Sequence, residues 1–241
     1  PVDTISTLED QAMLTSKLTD EAISFIRRNK KRSFFAYIPH PMPHVPINAS
    51  AAFRGKSKQG LYGDMIQEVD HNVGRIMDAL KKEGLEKSTM VIFTSDNGPV
   101  LDDGYQDEAV TQLNGHTPNG ILRGGKYSVL EAGTRVPFIL SWPDVVQPKV
   151  SSALVCQMDL IASFSSLLEQ TIPTEDATDS ENTLASFLGQ SDKGRTILIE
   201  QGGNTGGREG SFAIVKDNWK FIPANNGISH SKLVDIETGN A

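Results

Sequence analysis

Cysteine is almost missing. Cys156 is the only one in 241 residues, so no internal disulfide can form and the redox compartment cannot be read from thiols. It stands in Leu154-Val155-Cys156-Gln157-Met158, a setting that suits a small buried thiol better than a reactive one. No apolar run approaches the roughly 20 residues that cross a bilayer, so the stretch holds no membrane-spanning helix. A basic excess is missing too. Lys and Arg total 23 against 30 Asp and Glu, a formal charge of −7, and no basic stripe offers itself to nucleic acid. What remains, 38% hydrophobic and 22% charged, suits a globular chain with one large core or two small ones. The sequence opens at Pro1 without a methionine or a signal peptide, which reads as an interior cut and leaves room for a removed targeting segment upstream.

The most informative stretch is Val91-Ile92-Phe93-Thr94-Ser95-Asp96-Asn97-Gly98-Pro99. A short apolar run bounded by a turn signal predicts a buried strand, and it ends in an adjacent carboxylate and carboxamide. Open α/β sheets put their ligands at such strand ends. Asp96 and Asn97 offer the hard oxygens that Ca²⁺ or Mg²⁺ takes, provided Gly98-Pro99 turns the chain so that both reach one side. The same pair also serves simply to stabilise a turn, which is the commoner use. An EF-hand loop is excluded, because its fixed glycine would put Phe93 or Pro99 where the first carboxylate belongs.

Earlier in the chain, Leu14, Leu18, Ala22, Ile23, Phe25 and Ile26 recur at roughly helical spacing, with Arg27 to Arg32 as a solvated basic end. Phe34-Phe35-Ala36-Tyr37-Ile38 predicts a strand. It empties into Pro39-His40-Pro41-Met42-Pro43-His44-Val45-Pro46, where the prolines enforce a stiff loop that fixes two histidines. A histidine there is either a general acid or base or an ordinary loop side chain. Met65, Ile66, Val69, Val73, Ile76, Met77 and Leu80 mark a second helix, closed by Gly84, with Asp70 and His71 as structural or exposed members. Strand, helix, strand is the pattern of a parallel crossover.

Beyond Asp96 runs a long polar loop, Val100 to Asn119, whose carboxylates read as a solvated face, with His116 near its end as a candidate for facing a substrate. Gly124-Gly125-Lys126 then permits close backbone approach and presents a cation to an oxyanion, although most such segments are turns and the spacing is not that of a Walker loop. Phe138 to Trp142 predicts a strand, and Met158 to Leu168 a helix. Thr174 to Arg195 is polar and irregular apart from Leu184 to Leu188, and Thr196 to Glu200 is a strand. Gly202-Gly203-Asn204-Thr205-Gly206-Gly207-Arg208 imitates a phosphate loop, but no helix follows and a surface loop is the better reading. The end, through Phe212 to Val215, Trp219 to Ile222 and Leu233 to Ile236, reads as an antiparallel meander.

Taken in order, Phe34-Phe35-Ala36-Tyr37, His44-Val45-Pro46, Thr94-Ser95-Asp96-Asn97-Gly98, Leu122-Arg123-Gly124-Gly125-Lys126 and Glu131-Ala132-Gly133-Thr134-Arg135-Val136-Pro137 resemble the sulfatase family of the alkaline-phosphatase superfamily. The resemblance implies a mostly parallel α/β sheet flanked by helices over 1–190 and a small, truncated antiparallel subdomain over 191–241. It implies that Asp96 and Asn97 are Ca²⁺ ligands (Mg²⁺ being the other hard cation) and that Lys126 contacts the sulfate. His44 would face the scissile ester oxygen, with His40 as its neighbour. Ala132 departs from a usual glycine. A larger departure is that the family's first Asp-Asp metal pair and its Cys/Ser-x-Pro-Ser-Arg motif, source of the formylglycine nucleophile, are not matched in these residues.

The expectation is therefore the carboxyl-terminal half of a sulfate-ester hydrolase, inactive alone, with a periplasmic or secreted location plausible by resemblance. Two rivals share the pattern: a phosphodiesterase or phosphonate hydrolase of the same superfamily, and a catalytically dead module.

Overall fold

The computed structural model describes residues 4–173, 175–203, 211–224 and 232–236. The chain divides into two compact units, Pro1–Thr89 with Val100–Pro118, and Met90–Pro99 with Asn119–Ala241.

In the first unit, Thr7 caps helix α1 (Leu8–Ala12): its hydroxyl accepts the Asp10 N–H at 3.1 Å while the Asp10 carboxylate accepts the Thr7 N–H at 2.9 Å. Helix α2 (Leu14–Asn29) buries Thr15, Thr19, Ile23 and Ile26, one helical stripe, against α3 (Gly60–Lys82). The start of α3 is held by Asp64, 2% exposed, whose carboxylate accepts three backbone N–H groups, from Gly55 (2.7 Å), Lys56 (3.0 Å) and Ser57 (2.7 Å). Its end is a Schellman turn. Gly84, at φ +73°, donates to the Lys81 carbonyl, and Leu85 donates to that of Leu80. Around α3 packs a core of Met42, Ile47, Ala49, Met65 and Ala109, so the proline-rich loop is anchored by the methionine between its two histidines.

One expected element is corrected. Residues 34–38 form no strand, and no described strand pairs with them; Phe35 and Tyr37 are 73% and 79% exposed. Apolar β-prone sequence makes a strand only when another edge supplies its hydrogen-bond partners. The parallel crossover expected there does not form among the described residues.

In the second unit, β1 (Val91–Thr94) and β2 (Phe138–Ser141) pair antiparallel, Val91 opposite Ser141 and Thr94 opposite Phe138. Strands β3 (Leu198–Gly202), β4 (Ser211–Lys216), β5 (Trp219–Ile222) and β6 (Lys232–Asp235) form an antiparallel meander in chain order. Its inner face packs Ala213, Ile222 and Val234 on Val129. Every pairing among the described residues is thus antiparallel, where a mostly parallel sheet was expected. Of the glycine-rich loop at 202–208, residues 204–208 lie outside the described residues.

Asp159, fully buried at the start of helix α5 (Asp159–Leu167), takes Arg195 Nε at 2.9 and 3.0 Å and the amides of Cys156 and Glu181, while Ser163 Oγ accepts the Thr183 N–H at 3.0 Å just ahead of helix α6 (Leu184–Phe187). Burial pushes the Asp159 carboxyl up, but these donors outweigh it and hold the pKa below its usual value. Asp159 therefore stabilises the fold fully above its unfolded pKa of about 3.9, and that contribution is lost as pH falls through the lower folded value. Replacing Arg195 by leucine strands the carboxylate and is expected to cost about 3–5 kcal/mol in urea denaturation at neutral pH. A loss indistinguishable from zero would contradict it.

Candidate active site

The chain turns as β1 ends. The Ser95 hydroxyl donates to the Asn97 carbonyl at 3.0 Å, the Asn97 N–H donates to Asp96 Oδ1 at 3.0 Å, and Asn97 Nδ2 donates to the Gly98 carbonyl at 3.0 Å. From α5's approach, Gln157 Nε2 bonds the Ser95 carbonyl and reaches Thr94 Oγ1 at 3.4 Å. The result is an exposed carboxylate beside a half-buried carboxamide at a strand's carboxyl end.

This turn is locked onto the loop carrying Lys126. Gly98 N–H donates to the Gly133 carbonyl at 3.0 Å, and Lys126 N–H donates to the Pro99 carbonyl at 2.9 Å. The approach is backbone to backbone and leaves no room for side chains: a Cβ on Gly98 would stand 1.6 Å from the Ala132 carbonyl oxygen, and one on Gly125 2.5 Å from that of Pro99. Three glycines, with Gly133 as the third, thus bring Asp96, Asn97 and Lys126 onto two interlocked loops. Ala132, the departure from the family pattern, is 3% exposed in the short helix α4 (Glu131–Thr134) and has no positive φ, so a methyl group is accommodated there. Lys126 is half-buried, its Nζ 5.4 Å from the centre of the Tyr127 ring, and Tyr127 itself takes φ +73°.

The oxygens of Asp96 and Asn97 fit a hard divalent cation. With Asn97 Nδ2 committed to Gly98, the carboxamide oxygen is the atom left for a metal. Two side chains do not fill a shell of about six to eight oxygens. Among the described residues no group of three or more His, Cys, Asp or Glu side chains gathers.

The histidines belong to the other unit. His44 is exposed, and its Nδ1 donates to the Val45 carbonyl at 2.8 Å, which fixes the proton on Nδ1 in the neutral ring. Both ring nitrogens of His40 are buried without a hydrogen-bond partner, and burial pushes its pKa down, favouring the neutral imidazole. His116 is exposed, its N–H bonded to the Leu113 carbonyl at 2.9 Å.

Residue patterns alone do not reveal the buried charges below the Lys126 loop. Lys220, with no exposed surface, ion-pairs with Glu131 and, at 2.7 Å, with Glu200. Burial raises the Glu200 pKa against the pull of Lys220. The available signal was alternation: Lys220 and Ile222 share the inner face of β5, so a buried Ile222 implies an inward lysine.

An acid–amide pair at a strand end is thus interlocked with a lysine-bearing loop through glycines, placing two hard oxygens and one cation on adjoining backbones. The sequence profile of the Sulfatase family matches residues 3–170, and the chain belongs to that family. It is 44% identical over 223 residues to an N-acetylgalactosamine-6-O-sulfatase of Bacteroides thetaiotaomicron, spanning 92% of this chain and 43% of that protein. A steryl-sulfatase of Mus musculus is 33% identical over 186 residues, 76% of this chain and 29% of the relative. A solved Bacteroides thetaiotaomicron chain, from work on the metabolism of multiple glycosaminoglycans, matches 94% of this chain and 49% of its own with TM-score 0.87 and 42% identity. The chain thus spans less than half the length of these relatives.

Proposed function

We propose that these residues supply one wall of a sulfate-ester hydrolase site. The observation that carries the reading is the double lock of Gly98 onto Gly133 and of Lys126 onto Pro99, which holds one cation and two hard oxygen donors on adjoining backbones. Asp96 and Asn97 would hold Ca²⁺, with Mg²⁺ as the other candidate. When bound, such an ion offsets the negative charge that builds on the sulfuryl oxygens. Lys126 pairs its ammonium with a sulfuryl oxygen, and desolvation by its half-buried setting strengthens that pairing.

By the family resemblance, His44, with Lys126, is assigned the protonation of the departing alcohol. With Nδ1–H held by the Val45 carbonyl, a protonated imidazole donates from Nε2 as the sulfur–oxygen ester bond breaks, and returns to neutral. The nucleophile, a formylglycine by resemblance, is not among these residues. In a longer protein, residues 34–38 would find strand partners in a larger, mostly parallel sheet, a reading supported by an apolar segment with Phe35 and Tyr37 exposed. Residues 191–241 would remain its antiparallel subdomain.

The 44% identity to an N-acetylgalactosamine-6-O-sulfatase makes 6-O-sulfated N-acetylgalactosamine the first substrate to test. In the full-length protein, Asp96→Ala is expected to lower sulfate release from that sugar and from an aryl sulfate by about 10²-fold or more, if the ion it holds stabilises the transition state. Direct titration should show weakened Ca²⁺ binding in the same variant. Wild-type turnover and unchanged Ca²⁺ affinity would overturn the assignment.

A further inference from the structure

Below the Lys126 loop lies a charge cluster that the proposed chemistry does not use. Lys220 reaches from β5 with its side chain wholly buried, and its ammonium touches four groups. It donates to the Val129 carbonyl at 3.0 Å and to the Thr134 hydroxyl at 3.3 Å, and it ion-pairs with Glu131 and Glu200. The Glu200 contact, at 2.7 Å, is an ion pair without directed hydrogen-bond geometry. Three of the four partners, 129, 131 and 134, bracket the very residues that carry the lock, since Gly133 accepts from Gly98 and the Ala132 N–H donates to the Arg123 carbonyl at 2.9 Å.

Two further features tie the meander to this turn. Val129 inserts into the inner face of the sheet against Ala213, Ile222 and Val234. At the end of β3, Gly202 comes so close to the turn that a Cβ there would stand 2.7 Å from the Val129 nitrogen. A buried ammonium opposite two carboxylates is costly unless its geometry is fixed, so it defines one position of the turn rather than many.

We infer that Lys220, with Glu131 and Glu200, is a positioning residue: it couples the carboxyl-terminal meander to the turn 129–134 and so sets where Asp96, Asn97 and Lys126 stand. The inference rests on the reading that those three form the site.

The test is amide hydrogen exchange on the metal-free, full-length protein, comparing wild type with Lys220→Met. Exchange at the Gly98 and Lys126 amides, the two bonds of the lock, should accelerate about tenfold or more beyond any change at Ile76 and Leu80 in α3. With this, kcat for an aryl sulfate should fall about tenfold per folded molecule while KM stays within about threefold, as expected when a transition-state contact is misplaced. If Lys220→Met does not fold, Glu200→Gln keeps the shape while removing one of the two opposing charges, and should show the same selective acceleration at about threefold. Exchange at Gly98 and Lys126 that only tracks Ile76, or unchanged kcat, would overturn the inference. Asp96→Ala measured alongside separates the two ideas: full activity in that variant defeats the site reading, whereas loss of activity there with an unmoved lock in Lys220→Met defeats only the positioning.

Discussion

Lys126→Ala in the full-length protein is expected to lower kcat for a sulfate ester by about 10²–10³, the scale seen when one preorganised donor to a developing oxyanion is removed. The loop itself should survive, because what fixes it is backbone: the Lys126 N–H to Pro99, Gly125 against the Pro99 carbonyl, and Ser128 N–H to the Gly125 carbonyl at 3.1 Å. The loss should therefore appear in kcat with little change in thermal stability. Lys126→Arg should recover only part of it, since a planar guanidinium does not reproduce a compact ammonium over the Tyr127 ring. Near-wild-type turnover in a folded Lys126→Ala protein would remove the residue from the chemistry.

Gly98→Ala should be as damaging by a different route. The added methyl would fall 1.6 Å from the Ala132 carbonyl oxygen and 3.0 Å from the Gly133 Cα, both backbone atoms. No flexible side chain can yield, so the two loops must part and the Gly98–Gly133 hydrogen bond must stretch or break. Overpacking of this kind costs about 1–3 kcal/mol or more in stability. Activity should fall further than stability does, by about 10²-fold, because a displacement near 1 Å at a positioned group suffices for that. The pair of measurements is kcat/KM and the midpoint of thermal unfolding. A variant with wild-type kcat/KM would mean that the lock is not needed.

What the residues announced and what they hid follow from physics. Helical stripes at 14–26 and 65–80, the runs at 91–94 and 138–141, and the alternating carboxyl-terminal strands are local patterns, and each appears as an element. Partner choice is not local. Phe34 to Ile38 carries a strand's composition yet has no ladder among the described residues, and β1 pairs antiparallel with β2, which the crossover pattern did not indicate. At the site, Asp96, Asn97 and Lys126 stood out as chemistry-bearing side chains beside glycines. That Gly98, Gly125 and Gly133 interlock across more than thirty positions of sequence was invisible, because glycine signals permission for close approach without naming the neighbour. The Lys220 cluster was hidden for a similar reason: a lysine in a strand ordinarily faces water, and only the burial of its face reverses that.

The most direct measurement is a crystal structure of the full-length protein with Ca²⁺ and inorganic sulfate, the cation located by anomalous scattering. The expected result is one Ca²⁺ bound by oxygens of both Asp96 and Asn97 at about 2.3–2.6 Å, with the Lys126 ammonium in hydrogen-bond contact with the sulfate beside it. A cation held elsewhere, with Asp96 and Asn97 serving only their turn and Lys126 remote from the anion, would contradict it.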